Sequence, residues 1–214
     1  MKILIIARLG SKRLPKKHFK KLVNSKLVID HLLENVLKSF KSNELVLCTT
    51  TSEIDNELAN YVYNKYDIEI FRGDEHNVLK RIYDCIKVHK CDYFIRLNGD
   101  NILTDGALLK ALSIIHELTK SEFTTNVSPR SLSKGLSFQA CNSNLFFNYY
   151  QKIKNNIHCK EHVFFEMDKH TKRFLNISIN SDFLKKDDFA LDTINDLDKI
   201  NDYIKNNKSI YWNE

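Results

Sequence analysis

Ile3-Leu4-Ile5-Ile6-Ala7 runs straight into Arg8-Leu9-Gly10-Ser11-Lys12-Arg13-Leu14-Pro15-Lys16-Lys17. The first stretch is short, aliphatic and branched, as in a strand buried on both faces of a parallel sheet. The second carries five cationic side chains, one glycine and one serine. Open α/β sheets receive ligands at the carboxyl edge of such strands, and this loop suits a polyphosphate. A charge run by itself more often marks a solvated turn. Its place after a buried strand is what gives this one meaning.

The alternation continues outward from that stretch. Residues 27–41 put Leu27, Ile29, Leu32, Leu33, Val36, Leu37 and Phe40 on one helical face, and 45–50 reads as a second buried strand. Ser52 is placed to cap a helix over 53–64. A strand over 68–71, a helix over 77–88 and a strand over 93–97 follow; Asn98-Gly99-Asp100-Asn101 closes that strand before a helix over 105–119. The second half is less regular: loop with a short strand over 121–137, a strand over 138–141, then helices over 142–153 and about 160–168. A strand over 174–179, a strand-like Phe189-Ala190-Leu191 and a helix over 195–206 complete it. The expected fold is α/β, a Rossmann-like mixed sheet with helices on both faces. It forms one domain over 1–214, with about 121–185 as an insertion that supplies an acceptor-binding lid.

Composition narrows the classes. With 43% apolar residues and only 5 glycines and 2 prolines, the chain reads as ordered and globular. The 5 cysteines are odd in number, form no CxxC pair and mostly fall in apolar segments, which argues for reduced thiols and against a zinc site. The first apolar stretch is too short for a signal peptide, and no segment approaches the ~18 apolar residues of a membrane span. A cytoplasmic protein without membrane contact is expected. A net charge of +6 admits nucleic acid, an acidic membrane surface or an anionic small substrate as partner. Lysine is spread along the whole chain and no nucleic-acid-binding signature appears, so a nucleic acid partner is not expected.

Neither G-x-G-x-x-G nor the Walker pattern is present, so phosphate would be held by cationic side chains, chiefly Arg8, Arg13 and Lys17. A nucleoside triphosphate usually arrives with Mg²⁺, whose octahedral shell takes one or two protein carboxylates. Asp100 and Asp192, each just past an apolar run, are the natural pair. Either could instead cap the helix that follows it.

Four segments together resemble the cytidylyltransferase family: Ala7 to Lys17; Phe71-Arg72-Gly73 with Val78-Leu79-Lys80-Arg81; Arg96 to Asn101; and Leu191-Asp192-Thr193 with Asp196-Leu197. That family includes CMP-sialic acid synthetases, 3-deoxy-manno-octulosonate cytidylyltransferases and the spore coat polysaccharide biosynthesis proteins of type F, the last being most similar. The resemblance runs in order from about residue 2 to 205. It implies a nucleotide-diphospho-sugar transferase-like fold, a homodimer, and transfer of CMP from CTP to an acidic sugar or related small acceptor. Pyrophosphate would leave, in the service of surface polysaccharide or glycoconjugate synthesis.

By that likeness Arg8, Gly10, Ser11, Arg13 and Lys17 hold the triphosphate. Arg72, Gly73 and the segment up to Arg81 line the nucleoside with Asn98, and Asp100 with Asp192 holds Mg²⁺. Arg8, Arg13, Lys17 and Asp100 would be the catalytic groups, while Lys134, Gln139, Lys160, Glu161 and His162 line the acceptor. The sequence departs from the family's pattern at Lys16, where glycine is usual, at Asn98 for threonine, and at Ile102 for proline. Ser137 and Gln139 replace two acids. Two rival readings stand beside this one: a glycosyltransferase that consumes a nucleotide sugar on a similar sheet, and a nucleotide-binding subunit without turnover.

Overall fold

The computed structural model describes residues 1–178 and 188–206. Its seven strands form one sheet in the order β3-β2-β1-β4-β6-β5-β7. β1 (Lys2–Ile6), β2 (Leu45–Thr50), β3 (Glu69–Gly73) and β4 (Tyr93–Asn98) are parallel. β5 (Phe123–Thr125), β6 (Gln139–Asn142) and β7 (Phe174–Asn176) extend the sheet past β4; among the described strands only β6 is reversed. The helices are α1 (Val28–Leu37), α2 (Asn56–Tyr66), α3 (Val78–His89), α4 (Gly106–Leu118), α5 (Ser143–Ile153) and α6 (Ile194–Asn206).

β1 is paired on both edges and covered on both faces, which is why its centre is wholly aliphatic. Ile3 and Ile5 pack with Leu47, Ile95 and Leu97 against α1, α2 and α4 through Ile29, Leu32, Val62 and Leu109. Leu4 packs on the other side with Val46, Cys48 and Phe94 against α3 and α5 through Leu79, Ile82 and Phe146. α1 and α4 approach so closely that a Cβ on Gly106 would lie 2.3 Å from the Asn35 carbonyl oxygen. A third apolar cluster joins Leu14 and Leu22, Ile102 and Leu103, Leu191, and Leu197 and Ile200 of α6. That cluster draws three loops toward the carboxyl edge of the sheet.

Four details differ from the expectation. α2 starts at Asn56 after a 3-10 turn over Glu53–Asp55, and Ser52 makes no side-chain cap; the Asp55 carboxylate is engaged elsewhere, as described below. The helix expected over 160–168 is replaced by 3-10 turns at His158–Lys160 and Met167–His170. Cys159, Val163 and Met167 are buried at helix-like spacing, but Glu166 adopts a left-handed φ of 54° that interrupts any helix. Phe189-Ala190-Leu191 is not a strand: Phe189 N donates to the Lys134 carbonyl and Leu191 N to the Asp100 carbonyl, at 2.9 and 3.2 Å. The strand expected over 174–179 ends at Asn176, and its last residue, like the end of the expected insertion, lies outside the described residues. β5, β6 and β7, within that insertion, join the main sheet.

His31 in α1 supplies a test of the packing. Burial, reinforced by Lys26, lowers its imidazole from 6.5 to about 4. Below pH 6.5 the unfolded chain therefore takes up a proton that the folded chain refuses, and stability is lost as pH falls toward 4. The slope from this one group reaches ~1.4 kcal/mol per pH unit. Urea midpoints for His31→Gln, followed through the same range, should fall less steeply with acid than those of the parent by about one proton's contribution.

Candidate active site

The loops after β1 and β4 leave the sheet side by side, at the point where strand order reverses direction. Gly99 N donates to the Ile6 carbonyl at 2.8 Å, extending the ladder by one step before the chains part. A Cβ on Gly99 would lie 2.7 Å from the Ala7 Cβ and 2.9 Å from His18 Cε1, so the close approach requires glycine. The crevice outside such a switch point is where α/β sheets bind ligands.

The basic loop is pinned from within. Leu9 and Leu14 are buried in two different apolar clusters and act as hooks, while the cations between them face outward. Ser11 N donates to the Leu9 carbonyl, and Ser11 Oγ accepts from Leu14 N at 3.3 Å. Buried Asp55 accepts from Leu9 N at 2.6 Å through Oδ1 and from the Thr50 hydroxyl through Oδ2. Lys16 has φ 51°, in the left-handed region that glycine adopts most readily. Lysine holds this conformation at a cost of ~1 kcal/mol.

The loop ends at Lys17, which is only 8% exposed. Its ammonium donates at 2.8 Å to Asp100 Oδ2 and at 2.8 Å to the Leu191 carbonyl, and lies 3.5 Å from Asp192 Oδ1. Arg13, largely exposed, reaches the same Asp192 oxygen at 3.0 Å. Asp196 receives Asp192 N, Thr193 N and the Thr193 hydroxyl, so its carboxylate fixes the backbone that presents Asp192. Asp100 and Asp192 thus share one ammonium. Two hard oxygen donors meeting over a positive charge fit Mg²⁺, which would complete its shell with phosphate oxygens and water. Among the described residues no group of three or more metal-ligating side chains forms.

Around this cluster lies a cavity of about 620 Å³. It is lined by Arg8, Gly10, Ser11, Lys12, Arg13 and Lys17 of the basic loop, by Arg96, Asn98 and Asp100 from the end of β4, and by Glu75, His76, Val78, Arg81 and Glu161. Arg8 Nη1 donates to the Glu75 carbonyl at 3.3 Å and Arg81 Nη1 to the Asp74 carbonyl at 2.8 Å. His18 also lines the cavity; burial and the neighbouring Lys17 charge hold its imidazole down to about 3, so it is neutral. The cavity therefore presents a majority of cations to a ligand, together with the carboxylates of Glu75, Asp100, Glu161 and Asp192.

Not every residue singled out in the sequence reaches the cavity. Arg72 spends its donors on the chain itself, on the Thr50 and Ser52 carbonyls at 2.8 and 2.7 Å and on Asn56 Oδ1. It ties β2 to the start of α2, and neither it nor Gly73 lines the cavity. Of the acceptor set, Glu161 lines the cavity, and Gln139 sits behind it, bonded to Arg96 at 2.9 Å. Lys134 pairs with Asp188 at 3.1 Å, and Lys134, Lys160 and His162 are not on the cavity wall. Arg81, Arg96 and His18 do line it. The first two carried a readable signal: a cation on the apolar face of α3 and another inside a buried strand.

A family model described as cytidylyltransferase matches residues 2–214. The chain belongs to the cytidylyltransferase family. Its sheet with helices on both faces is the nucleotide-diphospho-sugar transferase-like α/β fold of that family. A cytidylyltransferase from Leptospira borgpetersenii superposes with a TM-score of 0.83 at 25% identity, over 98% of this chain and 88% of that one. Among curated proteins, an uncharacterized protein of Methanocaldococcus jannaschii is 36% identical over 139 residues, 64% of this chain and 55% of its own. The spore coat polysaccharide biosynthesis protein SpsF of Bacillus subtilis is 34% identical over 125 residues, 56% of this chain and 51% of its own. The chain thus matches about half the length of these curated relatives.

Removing the loop's anchor gives a direct test of this cytidylyltransferase loop. Asp55→Ala leaves the Leu9 amide and the Thr50 hydroxyl without their partner, at a cost of ~1–3 kcal/mol for such buried groups. Urea denaturation should register that loss, and amide exchange at Leu9 should accelerate in the same variant.

Proposed function

We propose that the chain transfers CMP from CTP to an acidic sugar or related small acceptor, releasing pyrophosphate. The observation that carries this reading is the cavity itself. It joins a loop of fixed cations to a carboxylate pair at the switch point of the sheet. The SpsF relative, by its name a polysaccharide biosynthesis protein, supports an acceptor from surface polysaccharide synthesis.

A triphosphate laid along the loop would meet Arg8, Ser11 and Arg13, with Gly10 leaving the backbone open to the phosphates. Asp100 and Asp192 would hold Mg²⁺, which supplies charge neutralisation on the phosphoryl oxygens and orients the α-phosphate. Lys17 is already fixed between those carboxylates, so its positive charge acts without reorganising when negative charge builds up at the phosphates. Arg13, largely exposed and paired with Asp192, would exchange that partner for the departing pyrophosphate. An acceptor oxygen attacks the α-phosphorus in line with the leaving group, and the cavity's role is to keep both reactants in that geometry. A homodimer and a cytoplasmic setting accompany this reading.

Pyrophosphate release, measured with CTP, UTP, ATP and GTP in Mg²⁺ against a panel of acidic sugars and sugar phosphates, tests it. Acceptor-dependent release selective for CTP is expected; free nucleoside diphosphate from a nucleotide sugar would instead favour a glycosyltransferase. Asp100→Ala and Asp192→Ala should each lower turnover by at least ~10²-fold. Lys17→Ala should lower it by ~10- to 10³-fold, since neighbouring cations share the phosphate load.

A further inference from the structure

Arg96 is a poorly satisfied cation in the cavity wall. It lies on β4 between the apolar residues Ile95 and Leu97, on the same face as Phe94. Its one hydrogen bond among the described residues runs from Nη1 to the neutral Gln139 Oε1, at 2.9 Å. Nε is enclosed with no acceptor, and no carboxylate of the described residues lies within ion-pair distance. Burial lowers the guanidinium to about 10, against an opposing pull from Asp100, which is itself paired with Lys17. A guanidinium in this state carries a charge and several donors that the chain leaves unanswered.

Its position says which ligand would answer them. The basic loop leaves from β1, on one side of β4, whereas Gln139 opens β6, on the other side. Arg96 leans toward β6, away from the strand that supplies the triphosphate loop. On the proposed reaction, the group on that side of the cavity is the acceptor. A planar carboxylate matches the guanidinium fork in shape and carries the one charge it lacks.

Resting on that reading, we infer that Arg96, seated by Gln139, binds a carboxylate of the acceptor and so selects sugar acids over neutral sugars. Arg96 is the binding residue; Gln139 is a positioning residue that holds Nη1 and leaves Nη2, with the second Nη1 hydrogen, for the ligand.

The test compares glucuronate, 3-deoxy-manno-octulosonate and N-acetylneuraminate with their carboxamides. Binding is read by calorimetry with CTP and Mg²⁺ present, and pyrophosphate release is followed in parallel. At least one acid should bind at least ~10-fold more tightly than its amide, as a charge-assisted bidentate pair requires. Arg96→Gln should reduce the acid to the level of the amide while CTP affinity stays within about twofold, and Arg96→Lys should restore part of the preference. Gln139→Leu should narrow the gap between acid and amide, a ratio that a general loss of stability would not move. Thermal midpoints guard against misfolding, and Arg96→Lys serves if Arg96→Gln does not fold. Three results would overturn the inference: acids and amides binding alike, no acid-specific binding at all, or Arg96→Gln weakening CTP and leaving the acid unaffected. If an acid binds through Arg96 yet no pyrophosphate appears, the transferase reading fails and the carboxylate site stands.

Discussion

A single buried ammonium ties the architecture to the chemistry. Lys17 reaches from the loop after β1 to Asp100 after β4 and to the Leu191 carbonyl and Asp192 ahead of α6. These three segments are far apart in sequence, and each approaches the carboxyl edge of the sheet from a different element. A charge taken out of water must be paired and hydrogen-bonded, or its burial is prohibitively costly. The three segments therefore converge or none of them can. The apolar cluster of Leu14, Ile102, Leu103 and Leu191 supplies the non-directional attraction, and Lys17 supplies the register.

Asp55 does for the front of the loop what Lys17 does for its end. With Leu9 N and the Thr50 hydroxyl both on one carboxylate, the loop after β1 is bolted to the end of β2 and the start of α2. Arg72 bolts β2 to α2 from the neighbouring strand. The cations that face the cavity thus stand on a backbone fixed from behind, and a site whose charges need not rearrange is the kind that stabilises developing charge most effectively.

The parallel half of the sheet was legible because β1 and β2 carry aliphatic runs, a pattern that burial on both faces enforces, and because β3 and β4 are short apolar segments that alternate with helical patterns. Asp100 and Asp192 stood out as carboxylates just past apolar runs, and Lys17 as the last cation of the basic loop. Arg72 was misleading: it sits at a strand end like the others, but its fork is satisfied by backbone carbonyls, and nothing in a sequence distinguishes a guanidinium that faces inward from one that faces a ligand. Ser52 looked like a cap because serine commonly is one, whereas a 3-10 turn set the start of α2 further on. Residues 160–168 carry apolar side chains at helical spacing, yet the left-handed Glu166 turns the chain, a backbone state that glutamate does not advertise. Arg81 and Arg96 fall inside the segments that resemble the family, but the resemblance gives Arg96 no role of its own.

The reversed direction of β6 has a consequence for how such a molecule can diversify. The β1 loop and the β4 loop leave from strand ends, but β6, running the other way, delivers its first residue, Gln139, to the same edge. What precedes β6 is a long irregular approach held by Asn126, whose side chain bonds the Leu136 carbonyl and Phe138 N. Changes of length or composition in that approach alter what stands beside Arg96 without disturbing β1, β2 or β4. One half of the crevice can therefore be inherited unchanged while the other is rewritten, and the boundary between the two runs along β4.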